Sequence, residues 1–265
     1  MSDRRFRRLC RGALLSGLAV VLVGAALPAR AAHADTLRLL TNDNPPFSII
    51  DAGQQVTGIS ADIVLEMARL AAMPVTVEHY PWARAFDDAV NKPDACIFST
   101  ARLPERETKF QWIGPIASNS WALFARPDFH RPLPNLAAAR GLVIGGQIQE
   151  AKTAYLESQG LTIDAVPNDD LNPRRLSEGR IDLWVTGLYT GRLKAAAVGI
   201  PDIKPVLAFR RVDSFLACNL AIPAETIGQL RQALDSMRAD GTLAAIARRY
   251  GDSVRESPPA GPPVN

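Results

Sequence analysis

The sequence predicts an α/β protein built on a mainly parallel sheet with helices on its faces. Short apolar runs alternate with stretches whose apolar residues recur three and four positions apart, and the first part of the chain reads βαβαβ. A second set of strands and helices of the same kind follows it. The chain has 265 residues, 47% of them hydrophobic and 22% charged, which is enough for two modest domains or one large one and is not a disordered composition.

The elements follow in order. Residues 36–40 alternate as a strand, and the two prolines of Asn42–Phe47 force a loop. Asp51, Ala52 and Gly53 mark a turn between two short extended pieces. Ser60 is placed to cap a helix to about residue 72, with Ile63, Met67 and Leu70 on its inner face. Residues 74–79 read as a strand, 82–90 as a helix and 95–99 as a buried strand. In the second set, 141–146 and 181–185 read as strands, 149–158 and 171–177 as helices, and 202–207 and 214–221 as two further strands. Pro223 precedes a helix through Ile227, Leu230, Leu234 and Met237 that Asp240-Gly241 stops, and 242–250 is a last helix. Residues 252–265 contain four prolines and few apolar residues, and read as a disordered tail.

Charge is distributed unevenly. The whole chain carries +3, but residues 1–34 hold six arginines and one acid, a net of +5. The remainder holds 24 basic and 26 acidic residues, a net of −2. Arg4 to Arg11 form a positive start, an uncharged apolar stretch follows to Leu27, and Ala29-Arg30-Ala31 and Ala32-His33-Ala34 offer small-x-small cleavage sites. This is the pattern of a secretory signal peptide, with cleavage expected near Ala34 and an exported product in the periplasm. Nucleic-acid binding loses its support once this basic leader is discounted. Three cysteines are too few for a disulfide-dense scaffold. No metal-ligand cluster, nucleophile elbow or phosphate-binding loop is legible, so no cofactor and no metal are expected.

Several motifs then occur in a characteristic order: Pro46-Phe47, Gly58 with Asp62 four residues on, Trp82 after a strand, Asp94, Pro104-Glu105-Arg106, Gly179-Arg180-Ile181-Asp182, and Asp240-Gly241 with Ile246. With them the chain, over about residues 36–251, resembles the periplasmic solute-binding proteins of ABC importers, family 3, the polar amino acid-binding type. The resemblance implies a two-lobed periplasmic-binding-protein-like fold of type 2 with two hinge strands. Lobe 1 would be residues 35–120 plus 215–251 and lobe 2 residues 121–214, closing on ligand about the hinge. It also implies a monomer that delivers a small-molecule ligand to an ABC permease in the membrane.

Within that frame Arg106 is the expected anchor, since a planar guanidinium matches a carboxylate with two parallel charge-assisted hydrogen bonds. Trp82 would form a flat wall or a cation–π partner. Asn44 and Phe47 would line the cleft from the proline loop, and Ser99 and Thr100 from a strand end. Gln147, Gln149 and Glu150 would face them from the strand-to-helix turn of the second lobe. The family's usual acid for an α-ammonium aligns with Gly187, its early Asp with Thr41, its hydroxyl before the arginine with Ala101, and the glycine of its lobe 2 turn with Gln149. These departures point away from a standard α-amino acid. Cys96 and Cys218 would fall on neighbouring strands, as two buried free thiols or, alternatively, a disulfide. A binding protein, not an enzyme, is expected; a cyclohexadienyl dehydratase-like enzyme on the same fold and a ligand-sensing module are the alternatives.

Overall fold

The structure is a computed structural model that describes residues 36–251. The expected leader and the proline-rich tail lie outside the described residues. Ten strands and seven α-helices are assigned within it. Strands β1 (Leu37–Thr41), β4 (Val75–His79) and β5 (Ala95–Ala101) run parallel, linked by α1 (Ile59–Leu70) and α2 (Trp82–Asn91). The short strands β2 (Ile49–Ile50) and β3 (Val56–Thr57) pair separately. Strand β6 (Gln111–Ala125) then leads to a second parallel set: β7 (Val143–Gln147), α3 (Ala151–Ser158), β8 (Thr162–Val166), α4 (Asn172–Ser177), β9 (Leu183–Gly187) and α5 (Leu188–Ala197). The return strand β10 (Lys204–Cys218) precedes α6 (Ala224–Ala239) and α7 (Thr242–Arg249).

Eight strands form one sheet in the order β4-β1-β5-β10-β6-β9-β7-β8. The two long strands β6 and β10 lie antiparallel in its centre, paired from Cys218↔Gln111 at one end to Lys204↔Ala125 at the other. Their first shared half completes the β1–β4–β5 set and their second half completes the β7–β8–β9 set. This is a two-lobed fold with two hinge strands. Each half has its own core on both faces of the sheet. Met67, Phe98, Leu216 and Met237 pack under α1, α6 and α7, with Ile97, Trp82 and Ala217 beneath α2 opposite. Leu123, Ile144 and Leu156 form one core of the second half, and Phe124, Trp184 and Leu188 the other.

Four sequence expectations are corrected. The strands expected at 202–207 and 214–221 are one continuous element, β10, because residues 208–213 stay paired to β6 through the hinge. Ser60 does not cap α1; the cap is Gly58, at φ 113°, and the Ser60 hydroxyl is buried without a hydrogen-bond partner. The proline loop performs the capping: Pro46 O accepts from Ile59 N at 2.9 Å and Phe47 O from Ser60 N at 2.9 Å. A Cβ at position 58 would lie 2.6 Å from Phe47 O, so only glycine lets the loop approach this closely. The helix expected from residue 149 starts at Ala151, because Gln149 is left-handed at φ 61°. Cys96 and Cys218, expected as free thiols, are joined in a disulfide. They stand directly opposite each other on β5 and β10, so their side chains share one face at close range.

Pro115 disguises β6 in the sequence. It sits where the ladder to β10 shifts register, Ser214 facing Ala117 and Leu216 facing Ile113, so no ladder N–H is required of it.

The disulfide spans a sequence separation of 122. Replacing both cysteines by alanine is expected to lower stability by about 2–5 kcal/mol, read from denaturant unfolding. Across β1 and β4, Arg38 grips Glu78 with Nε at 2.7 Å and Nη2 at 2.9 Å. The hydrogen bond from Arg38 holds the Glu78 carboxyl down from 4.5 to about 2. The stability this pair contributes is present above the ordinary carboxylate pKa and is lost as pH falls from 4.5 towards 2. Thermal melts across that window are expected to fall less steeply for Glu78→Gln than for the parent.

Candidate ligand-binding site

In a parallel sheet the carboxyl ends of the strands open into crevices, and here both halves turn those ends towards each other. From the first half, β1 delivers Asn42, Asp43 and Asn44, β4 delivers Trp82, and β5 delivers Ser99, with Arg106 in the following turn Pro104–Lys109. From the second half, β7 delivers Gln147 to Glu150, β8 leads to Asp169 and Asp170, and β9 ends at Gly187. The hinge contributes Asn119, Trp121 and Ser214.

Of these, Asn42, Asn44, Trp82, Ser99, Arg106, Asn119, Trp121, Glu150, Gly187 and Ser214 line a cavity of about 50 Å³ between the halves. Arg106, Trp82, Asn44, Ser99 and Glu150, all singled out in the sequence, line it. Arg106 is only 7% exposed. Its guanidinium lies 5.4 Å from the Trp82 ring centroid and 4.9 Å from that of Phe86. Nη2 donates to Gln149 O at 3.4 Å, and Trp82 Nε1 donates to the same oxygen at 3.1 Å. Burial pulls the Arg106 pKa below its ordinary value, and the carboxylates of Glu150 and Glu105 oppose that shift. Glu150 itself pairs with Lys152 Nζ at 3.1 Å.

Of the remaining expected residues, Thr100, Phe47 and Gln147 are placed elsewhere. Thr100 is fully buried on the other face of β5, its hydroxyl within 3.4 Å of Ile97 O, because neighbours on a strand alternate faces. Ser99 reaches the cavity through a left-handed residue, φ 59°, where the β5–β10 ladder shifts register. Its hydroxyl lies 3.3 Å from that of Ser48, which accepts from Thr41 at 2.9 Å. Phe47 lines a separate cavity of about 450 Å³ beside α1 and α7, edge-on to Tyr189 of the second half at 6.4 Å. Gln147 lines a third, of about 320 Å³, and donates to Pro167 O at 3.1 Å. Gln149 meets Arg106 and Trp82 through its main chain.

Sequence reasoning missed Asn42, Asn119, Trp121, Lys152 and Ser214 in the small cavity and Lys194, Asp169 and Asp170 in the third. Alternation along the hinge strand carried a signal for Asn119 and Trp121. Lys194 carried none, because α5 is buried on several sides and shows no amphipathic period. Lys194, 7% exposed, reaches Asp170 and lies 3.6 Å from Asp43 of the first half. Burial works against its charge, but Asp169, Asp170 and Asp43 outweigh that and raise its pKa. Asp169 also accepts from Trp184 Nε1 at 2.8 Å, Asn172 Nδ2 at 3.0 Å and Thr186 Oγ1 at 3.2 Å. Among the described residues no group of three or more His, Cys, Asp or Glu could hold a metal ion, and no helix is long and apolar enough to cross a membrane.

Two α/β halves on a pair of shared strands, with a buried guanidinium between them, define a clamshell that closes on a small solute. The chain belongs to the bacterial extracellular solute-binding proteins, family 3, which it matches over residues 37–253. It is 24% identical over 254 residues to the putative ABC transporter arginine-binding protein 2 of Escherichia coli (strain K12), covering 88% of this chain and 97% of that one. Among solved structures it resembles a histidine kinase sensor domain similar to periplasmic binding proteins, with a TM-score of 0.77 and 20% identity over 82% of this chain and 96% of that one. It also resembles an ancestral amino acid-binding protein that is a precursor of cyclohexadienyl dehydratase, with a TM-score of 0.70 and 18% identity over 81% of this chain and 94% of that one. At these identities the solved structures speak for the fold alone.

Asp169 satisfies three buried donors and faces a buried ammonium. Asp169→Ala is expected to cost about 3 kcal/mol in urea unfolding, well above an ordinary surface substitution.

Proposed function

We propose that the chain is an exported binding protein that captures a small carboxylate-bearing or amino-acid-like ligand between its lobes and delivers it to an ABC permease in the membrane. Its working form is a periplasmic monomer starting near residue 35, with lobe 1 at 35–120 plus 215–251 and lobe 2 at 121–214. It binds without turning its ligand over. The observation that carries this reading is the state of Arg106. A guanidinium offers five donors, yet this one, buried between the halves, makes a single 3.4 Å hydrogen bond, to Gln149 O. A carboxylate would take two of the unused donors in parallel and strengthen both in the water-poor cleft.

The small volume between the halves is the closed state of a clamshell. It is far below the ~300 Å³ of an ordinary ligand pocket, so the lobes part to admit ligand. Contacts that cross between the lobes include Thr190 Oγ1 to Asn44 Oδ1 at 2.9 Å, Lys194 to Asp43 at 3.6 Å, Trp82 Nε1 and Arg106 Nη2 to Gln149 O at 3.1 and 3.4 Å, and the Phe47–Tyr189 edge contact. A sensor role, the one a histidine kinase sensor domain of similar fold has, would use the same closure and present it to a receptor. Adjacent permease and ATPase genes would support the importer.

The test is native mass spectrometry of the purified protein to identify a co-purifying ligand, then calorimetry with that ligand. Arg106→Ala is expected to weaken binding about a hundredfold or more while leaving the melting temperature close to the parent's. Unchanged affinity would overturn the reading.

A further inference from the structure

One residue of the hinge, Asn119, adds a carboxamide to the lining of the small cavity. Gly187 ends β9 opposite Arg106, the place from which a second-lobe side chain would reach a ligand held there. A Cβ at that position would lie 2.3 Å from Asn119 Nδ2 and 3.1 Å from Thr190 Oγ1, so the Asn119 carboxamide occupies the space a side chain at 187 would need. The amide's orientation is fixed by its other end, because Asn119 Oδ1 accepts from Ser120 N at 2.8 Å. The Nδ2 donors are therefore turned towards Gly187 and the cavity, and among the described residues no acceptor takes them.

The other groups point the same way. Arg106 and Lys152 supply two positive charges and Glu150 one negative charge, with Glu150 already paired to Lys152. Asn44 Oδ1, an acceptor of the kind an ammonium requires, accepts from Thr190. The nearby acids lie in the neighbouring cavity. Asp43 and Asp170 gather around Lys194, and Asp169 is spent on Trp184, Asn172 and Thr186. The space around Arg106 thus carries a net positive charge and no uncommitted carboxylate; the acceptors that remain there, on Asn42, Ser99 and Ser214, are neutral.

Taking Arg106 as the carboxylate anchor, on which this inference rests, we infer that Asn119 is a specificity-determining residue that selects small carboxylates bearing no amine. Their second polar group is a hydrogen-bond acceptor, such as the oxygen of a 2-oxo acid or a second carboxylate. The Asn119 Nδ2 donors meet that acceptor, where an α-amino acid would place an ammonium against donors and positive charge.

Matched pairs that differ only in this group provide the test: pyruvate against L-alanine and 2-oxoglutarate against L-glutamate, titrated calorimetrically into the intact protein after removal of any co-purified ligand. The oxo member of at least one pair is expected to bind ten-fold or more tighter than its amino partner. Asn119→Asp is expected to reverse that preference by ten-fold or more, and Asn119→Ala to weaken the oxo acid while leaving the amino acid as weak as before. A thermal melt of each variant reports its folding, and the parent's own preference stands without any variant. Tighter binding of the amino member by the parent, still dependent on Arg106, would overturn the inference and leave the carboxylate anchor intact. Equal binding of both members would do the same. No binding by either member of either pair, or binding indifferent to Arg106→Ala, would overturn both.

Discussion

Strands β6 and β10 pair along almost their whole length, and that pairing belongs to neither half of the molecule alone. Each strand is an edge on which a parallel set is built: β5 docks on β10 at one end and β9 docks on β6 at the other. Without this ladder both sets would present an open sheet edge, and the carboxyl ends of their strands would have no reason to face each other. The location of the binding crevice is therefore a result of strand order. Asn119, Trp121 and Ser214 enter the cavity because the hinge is its floor, so a bend in the ladder changes the cavity together with the angle between the halves.

Contacts across the crevice differ in character from those inside the lobes. Apart from the Phe47–Tyr189 edge contact and the packing of Leu103 on Trp121 and Ala151, they are polar or charged, and mostly end on groups a ligand could itself engage. The Gln149 carbonyl shows this best. It accepts from both Arg106 and Trp82, and it is held there by a residue in the left-handed region, which costs about 1 kcal/mol for a non-glycine residue. A carboxylate on Arg106 competes with a neutral carbonyl at 3.4 Å, an exchange that favours the ion. Under the proposed function, closure would be weakly satisfied by the protein itself and more fully by an anion, the differential affinity that shifts a population between open and closed forms.

Much of the fold was legible because its signals are local. The βαβ order, the αL glycine at 241 and the buried run at 95–99 each depend on neighbours in sequence. What escaped depends on residues far away. α5 is enclosed by the second core and by the first half, so it lost the amphipathic period that reveals a helix. β10 was read as two strands because its middle is polar and partly exposed as it crosses the hinge, and only the ladder to β6 unites it. Of the residues that line the small cavity, Arg106 and Trp82 were singled out through motif order. Thr100 was misplaced by one residue of strand alternation, and Lys152 and Lys194 became visible only once the halves were brought together.

The disulfide has a topological consequence. Cys96 and Cys218 are both anchored in the first half, and every residue of the second parallel set lies between them in the chain. The second half is therefore a closed covalent loop hung from a ring fastened in its neighbour. A single proteolytic cut anywhere in that loop leaves one molecule, with both chain ends of the first half still joined through sulfur. Two cuts are needed to release any piece while the bond is oxidised, and one suffices to divide the chain once it is reduced.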